Sequence, residues 1–267
     1  MPDFPPLGVA AGPETAPEAD RVSWTRAFAV LGVTMAILLL ATLSGGAAGW
    51  LFDAWNGTVE PRAHAAGALE AQTTARLATV LFGFQIAAVA LVVFAAWRLA
   101  RSGLRVLPLA MRHGGAGTVL LSVAGLFVVT GLYGVAVFNV DRTALTQDLS
   151  PFAEMMRSQT WWMMLLAAGV GAPIAEEFLF RGLLYGTLKV SPIGAVGAGL
   201  VTALSWAMLH ANYAIYGIGA IFVIGLYLAW LRERTGSLLA PIVCHGVYNT
   251  MIVLALRAAP EIANAPV

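Results

Sequence analysis

Residues 173–182 read Pro173-Ile174-Ala175-Glu176-Glu177-Phe178-Leu179-Phe180-Arg181-Gly182, PIAEEFLFRG, and place two adjacent glutamates and an arginine inside one of the most hydrophobic regions of the chain. The apolar run around them covers about 160–188. Roughly 29 residues of helix rise about 43 Å, more than the roughly 30 Å of bilayer hydrocarbon. An ionisable side chain near the bilayer centre costs about 2.5–3.5 kcal/mol on insertion scales, so these groups face protein interior or water rather than lipid. Just before them, GVGAP at residues 169–173 predicts a kink or break, because glycines followed by proline commonly interrupt a helix.

The rest of the chain has the same character. Of its 267 residues 59% are hydrophobic and only 11% charged, with a mean hydropathy of +0.80, whereas a soluble domain carries about 25% charged residues. The fold class is therefore all-α, a polytopic transmembrane helical bundle. Apolar segments at about 24–44, 77–98, 117–138, 160–188, 193–212, 214–231 and 237–257 predict about seven spans, within a range of six to eight. A net charge of +1 supplies no basic field for nucleic acid. The single cysteine, Cys244, excludes an intrachain disulfide and a cysteine metal cluster, and reads as a small core hydrophobe. Residues 1–20, rich in Pro, Ala and acid, lack the build of a signal peptide and predict a disordered cytoplasmic tail.

Basic residues orient the bundle. With the N terminus inside, Arg21, Arg26, Arg98, Arg101, Arg105, Arg112, Lys189, Arg232 and Arg234 fall on the cytoplasmic side, against Arg62, Arg76, Arg142, Arg157 and Arg257 outside. That bias predicts a multi-pass cell-membrane protein with a cytoplasmic N terminus and an external C terminus. Between the first two spans, Trp50, Phe52 and Trp55 suggest an interfacial aromatic patch, followed by an alanine-rich surface extension of the second helix.

Further polar residues recur inside the later spans. On a helix Glu177 and Arg181 are four apart and form a natural ion pair, while Glu176 points about 100° away and is left for another face. His210 closes SWAMLH, with Trp206 one turn earlier to pack against its ring. His245 and Asn249, again four apart, converge on one helix face, and Gly246 between them admits another helix closely. At 1.5 Å per residue the depths of Glu176, His210 and His245 differ by about 13 Å, which tilt and bending reduce. Taken alone, these residues suit peptide hydrolysis and proton- or ion-coupled transport equally. A buried structural pin, or a non-catalytic membrane scaffold or immunity-type binding protein, stands behind both.

Glu176-Glu177-Phe178-Leu179-Phe180-Arg181 resembles the EExxxR motif of the CPBP family of intramembrane proteases. That family includes the type II CAAX prenyl endopeptidases and bacterial abortive-infection and bacteriocin-immunity proteins. Trp206-Ala207-Met208-Leu209-His210 resembles its second motif, FxxxH, with tryptophan replacing phenylalanine, and His245-Gly246-Val247-Tyr248-Asn249 resembles its last, HxxxN. The three occur in family order within about residues 159–256.

The resemblance implies a bacterial endopeptidase with N-terminal membrane helices over 21–158, catalytic helices over 159–257 enclosing the cavity, and a C-terminal tail over 258–267. Its substrate would be a membrane-associated protein or hydrophobic peptide at the lipid bilayer. By motif position Glu176 and His210 activate water, Glu177 and Arg181 support them, and His245 and Asn249 stabilise the oxyanion. The family is described both as metalloproteases and as metal-independent glutamic peptidases. In the metal version Glu176, His210 and His245 would hold a zinc ion, without the HExxH geometry of ordinary zinc proteases.

Overall fold

A computed structural model of the protein describes residues 23–57, 66–141 and 147–259, so the tail expected over 1–20 and nearly all of the tail expected over 258–267 lie outside the described residues. Among the described residues the fold is all helical. It comprises α1 (Trp24–Asn56), α2 (Ala66–Ala100), α3 (Ala116–Phe138), the short α4 (Ser150–Arg157), α5 (Trp161–Leu188), α6 (Gly194–Met208), α7 (Ile215–Thr235) and α8 (Leu239–Ala258). Six of these, all but α4 and α6, are long and apolar enough to cross a membrane. The span expected at 193–212 is helical over only 15 residues, with turns following Met208.

The outer surface is apolar, as lipid requires. Phe28, Met35, Leu121, Leu132 and Val196 are all more than 60% exposed. Polar side chains such as Gln85, Glu177, Arg181, Thr202 and His245 are buried instead, which reverses the pattern of a soluble protein. α5 runs through the middle. Every residue from 179 to 188 is buried, with Leu179, Leu183 and Leu188 packed beside Leu126, Leu228 and Leu231 in one core. A helix that meets protein on all sides can carry charge that a lipid-facing helix cannot.

α1 and α2 reach well beyond the expected spans. Residues around Trp50 and Trp55, expected as an interfacial patch, continue α1 as helix, and Trp55 is 90% exposed. The alanine-rich extension of α2 is present from Ala66. Small residues hold this hairpin together: a Cβ on Gly45 would meet the Val80 carbonyl at 2.8 Å, and one on Gly83 would meet Ala48 Cβ at 2.7 Å. Arg76 pairs with Asp53 at 2.7 Å near the far end. Glycine, alanine and paired charges dilute the hydropathy there without weakening the helix–helix contact.

The break expected at GVGAP is absent, and α5 is continuous over 28 residues. Two stretches of wider π-helical turn, Ala167–Gly171 and Glu177–Leu184, absorb the disturbance instead. At the first, the Ala172 amide donates to the Ala167 carbonyl, five residues back. In that register residue 173 would donate to Ala168, but proline has no N–H. Asn249 of α8 makes the missing bond, its Nδ2 lying 3.0 Å from the Ala168 carbonyl oxygen. Gln85 of α2 donates to the Ala167 carbonyl at 2.9 Å. Side chains of neighbouring helices thus satisfy the backbone that proline leaves open.

Candidate active site

The two glutamates of α5 have separate environments. Glu177 is fully buried, and its Oε1 accepts from Arg181 Nη1 and from His245 Nδ1, each at 3.0 Å. Arg181, also fully buried, sends Nη2 to the Gly225 carbonyl of α7 at 3.1 Å. This approach requires glycine, since a Cβ on Gly225 would lie 2.9 Å from Ala203 Cβ and 3.3 Å from Arg181 Nη2. The ion pair expected between Glu177 and Arg181 forms, and His245 joins it. Glu177 Oε2 and Arg181 Nε have no protein partner among the described residues. Glu176 turns away, half-buried, with Oε2 accepting from the Trp206 indole N–H at 2.7 Å.

Trp206 of α6 is the hub. Its ring lies 4.5 Å below the Arg181 guanidinium carbon and meets His210 and His245 edge-on, with centroids 5.8 and 5.3 Å away. One buried side chain therefore touches Glu176, Arg181 and both histidines. The expected packing of Trp206 against His210 is present. The bond to Glu176 was not expected, and it depends on the one group that tryptophan has and phenylalanine lacks.

His245 and Asn249 share a face of α8, as their spacing predicts. Asn249 Nδ2 approaches His245 Nε2 at 3.2 Å as well as the Ala168 carbonyl. An amide nitrogen only donates, so Nε2 accepts and Nδ1 carries the proton that goes to Glu177. Gly246 permits the close packing: a Cβ there would sit 3.0 Å from the Gly169 carbonyl of α5. At rest, then, these two residues bond to Glu177, to the backbone of α5 and to each other.

His210 is half-buried in the turn after α6, its Nδ1 3.2 Å from the Trp206 carbonyl. It meets Glu176 through Trp206 rather than by a direct hydrogen bond. Tyr213 stacks edge-on against His210 at 5.5 Å. Tyr213 lies outside the membrane-crossing helices, and burial pushes its phenol up to about 12, with the carboxylates of Asp148 and Glu176 adding to the shift. It is therefore a proton donor throughout the physiological range. Asp148 Oδ1 accepts from the Ala214 amide at 3.0 Å, capping the start of α7. Neither Tyr213 nor Asp148 carries a motif or helical spacing that marks it in the sequence.

The zinc set Glu176, His210 and His245 does not fit this geometry. Both ring nitrogens of His245 are engaged, one carboxylate oxygen of Glu176 is held by Trp206, and among the described residues no three His, Cys, Asp or Glu side chains group closely enough to hold a metal ion.

Residues 158–251 match the family described as type II CAAX prenyl endopeptidase Rce1-like. This interval contains all three motifs. The chain is 24% identical over 143 residues to the putative membrane peptidase YdiL of Bacillus subtilis (strain 168), covering 51% of this chain and 56% of that protein. It is 30% identical over 94 residues to an uncharacterized 24.3 kDa protein of Escherichia coli, covering 34% of this chain and 43% of that one. The chain thus spans about half the length of the curated relatives it matches. No solved structure matches it. The likeness to the Rce1-like family is thus confined to residues 158–251, the stretch whose three motifs place Glu176, Arg181, His210 and His245 around Trp206.

Proposed function

We propose that the protein is an intramembrane endopeptidase that hydrolyses a membrane-associated protein or hydrophobic peptide. The observation that carries this reading is the division between the two glutamates. Glu177 is neutralised by Arg181 and anchored to His245, whereas Glu176 is half-buried and held through one oxygen by Trp206, whose ring also meets His210. Peptide hydrolysis needs a base for water, a proton for the leaving amine and donors for the oxyanion. Glu176 Oε1 is the base, since Oε2 is occupied by the indole. His210, with Nδ1 on its own helix, keeps Nε2 for passing the proton onward. Tyr213, protonated at neutral pH beside both, is a donor for developing negative charge. His245 and Asn249 position Glu177 and α5, and either would have to give up a resting bond to reach an oxyanion.

By the distribution of basic residues, the N terminus lies in the cytoplasm and the C terminus outside. Residues 159–257 form the catalytic unit on the supporting helices of 21–158, and no step requires a bound metal.

The test uses purified protein on a library of hydrophobic peptides, beside Glu176→Gln and His210→Ala. Cleavage by the native protein and its loss in both variants is expected. Equal cleavage by all three would end the assignment. Proton-coupled flux in liposomes abolished by the same changes, without cleavage, would make the protein a transporter.

A further inference from the structure

We propose that the cavity between α1, α2 and the C-terminal half of α5 binds one anionic phospholipid of the surrounding membrane. Its volume is about 1010 Å³ and it does not include Glu176 or His210. The walls are apolar, formed by residues such as Val33, Ile37, Phe94 and Leu183, while Arg26, Arg98 and Arg112 also line it. Arg26 lies in the first turn of α1, Arg98 in the last turn of α2 and Arg112 in the connection that follows, so the hairpin brings all three to one end of the bundle. That end also holds Lys189 and Arg234, opposite the turn carrying His210 and Tyr213. Among the described residues none of the three arginines makes an ion pair, and no carboxylate lines the cavity.

The dimensions select the ligand. From Arg26 to Ile37 α1 rises about 16 Å, close to half of the roughly 30 Å hydrocarbon core and hence to the depth of one leaflet. A free anion would occupy the arginines and leave the apolar depth empty. A zwitterionic lipid would fill the depth but weaken the match to three guanidiniums. A peptide would bury backbone N–H and C=O groups against walls that offer few partners. A lipid with a net negative headgroup satisfies both ends, as basic pockets between membrane helices do. Leu183 and Thr187 place the occupant against α5, within two turns of Arg181.

The experiment is native mass spectrometry of the delipidated full chain in detergent, titrated with phosphatidylglycerol or phosphatidylcholine of identical acyl chains. One phosphatidylglycerol should be retained at least tenfold more strongly than phosphatidylcholine. Arg26→Gln, Arg98→Gln and Arg112→Gln together should erase that preference, while Arg234→Gln, outside the cavity, should keep it. Ala95→Phe, which fills the cavity and keeps all three arginines, should lose the lipid; it decides the matter if the triple variant fails to fold. Equal retention of the two lipids, native-like binding by the triple variant or by Ala95→Phe, or full displacement of the lipid by equimolar inorganic phosphate would each overturn the proposal.

Discussion

Replacing Trp206 by phenylalanine removes the indole N–H and the pyrrole half of the ring from the centre of the site and keeps a smaller aromatic ring there. An aromatic ring stays available to Arg181, His210 and His245, while the 2.7 Å bond from the indole nitrogen to Glu176 Oε2 is lost. A hydrogen bond to a charged group contributes about 1.5–3 kcal/mol. If that energy holds Glu176 in its reactive position, kcat should fall about 10- to 150-fold at 1.36 kcal/mol per decade. Trp206→Ala is the contrasting change. It also removes a buried ring that is 3% exposed, and should cost about 3–5 kcal/mol of stability. Both variants would be assayed for peptide cleavage and for thermal unfolding in the same detergent. The family motif is usually written with phenylalanine here, so the measurement asks whether this chain depends on the indole. Cleavage by Trp206→Phe within twofold of the native rate would show that Glu176 is positioned without Trp206, and the hub reading would fall.

Glu177→Gln leaves Arg181 without its carboxylate in a fully buried site, and breaking a buried pair costs about 3–5 kcal/mol; a large drop in unfolding temperature is expected, with loss of activity secondary to it. Asn249→Leu leaves the Ala168 carbonyl and His245 Nε2 unpartnered, at about 1–3 kcal/mol for a buried polar group. Adding Pro173→Ala to that variant should recover part of the loss in a thermal melt, because alanine supplies the N–H that Ala168 lacks. Gly246→Val, where even the first carbon meets the Gly169 carbonyl at 3.0 Å, should separate α8 from α5 and abolish cleavage. Chelation followed by elemental analysis should leave activity unchanged in metal-free protein, as the engagement of both His245 nitrogens implies.

Pairs within one helix were legible in the sequence because helical geometry fixes them. Glu177 with Arg181 and His245 with Asn249 each lie four residues apart, and both meet as expected. Contacts between helices were not, since nothing in spacing says which faces will oppose. The bridge from His245 to Glu177 depends on how α8 rotates against α5. Trp206 was legible as a large aromatic beside His210, but its bond to Glu176 required the third dimension. Tyr213 and Asp148 sit beside the site from turns and connections, where no periodic signal exists. Pro173 is visible in the sequence, but its effect is not fixed there: a break is one way to accommodate the missing amide, whereas this fold widens the turn and borrows a donor from α8.

That borrowed donor bears on how the molecule is assembled. An α5 inserted alone into lipid would expose the Ala168 carbonyl without a partner, at a cost of several kcal/mol in the absence of water. The debt is cleared only when α8 arrives with Asn249 at one height and one rotation. The proline therefore makes the earlier helix incomplete until Asn249, 81 residues beyond Ala168, has docked with its helix, and the docking that completes it also delivers His245 to Glu177. Biogenesis and construction of the polar site become a single event, and a chain truncated before α8 should be recognised by quality-control proteases as unfinished rather than persist as a shorter bundle.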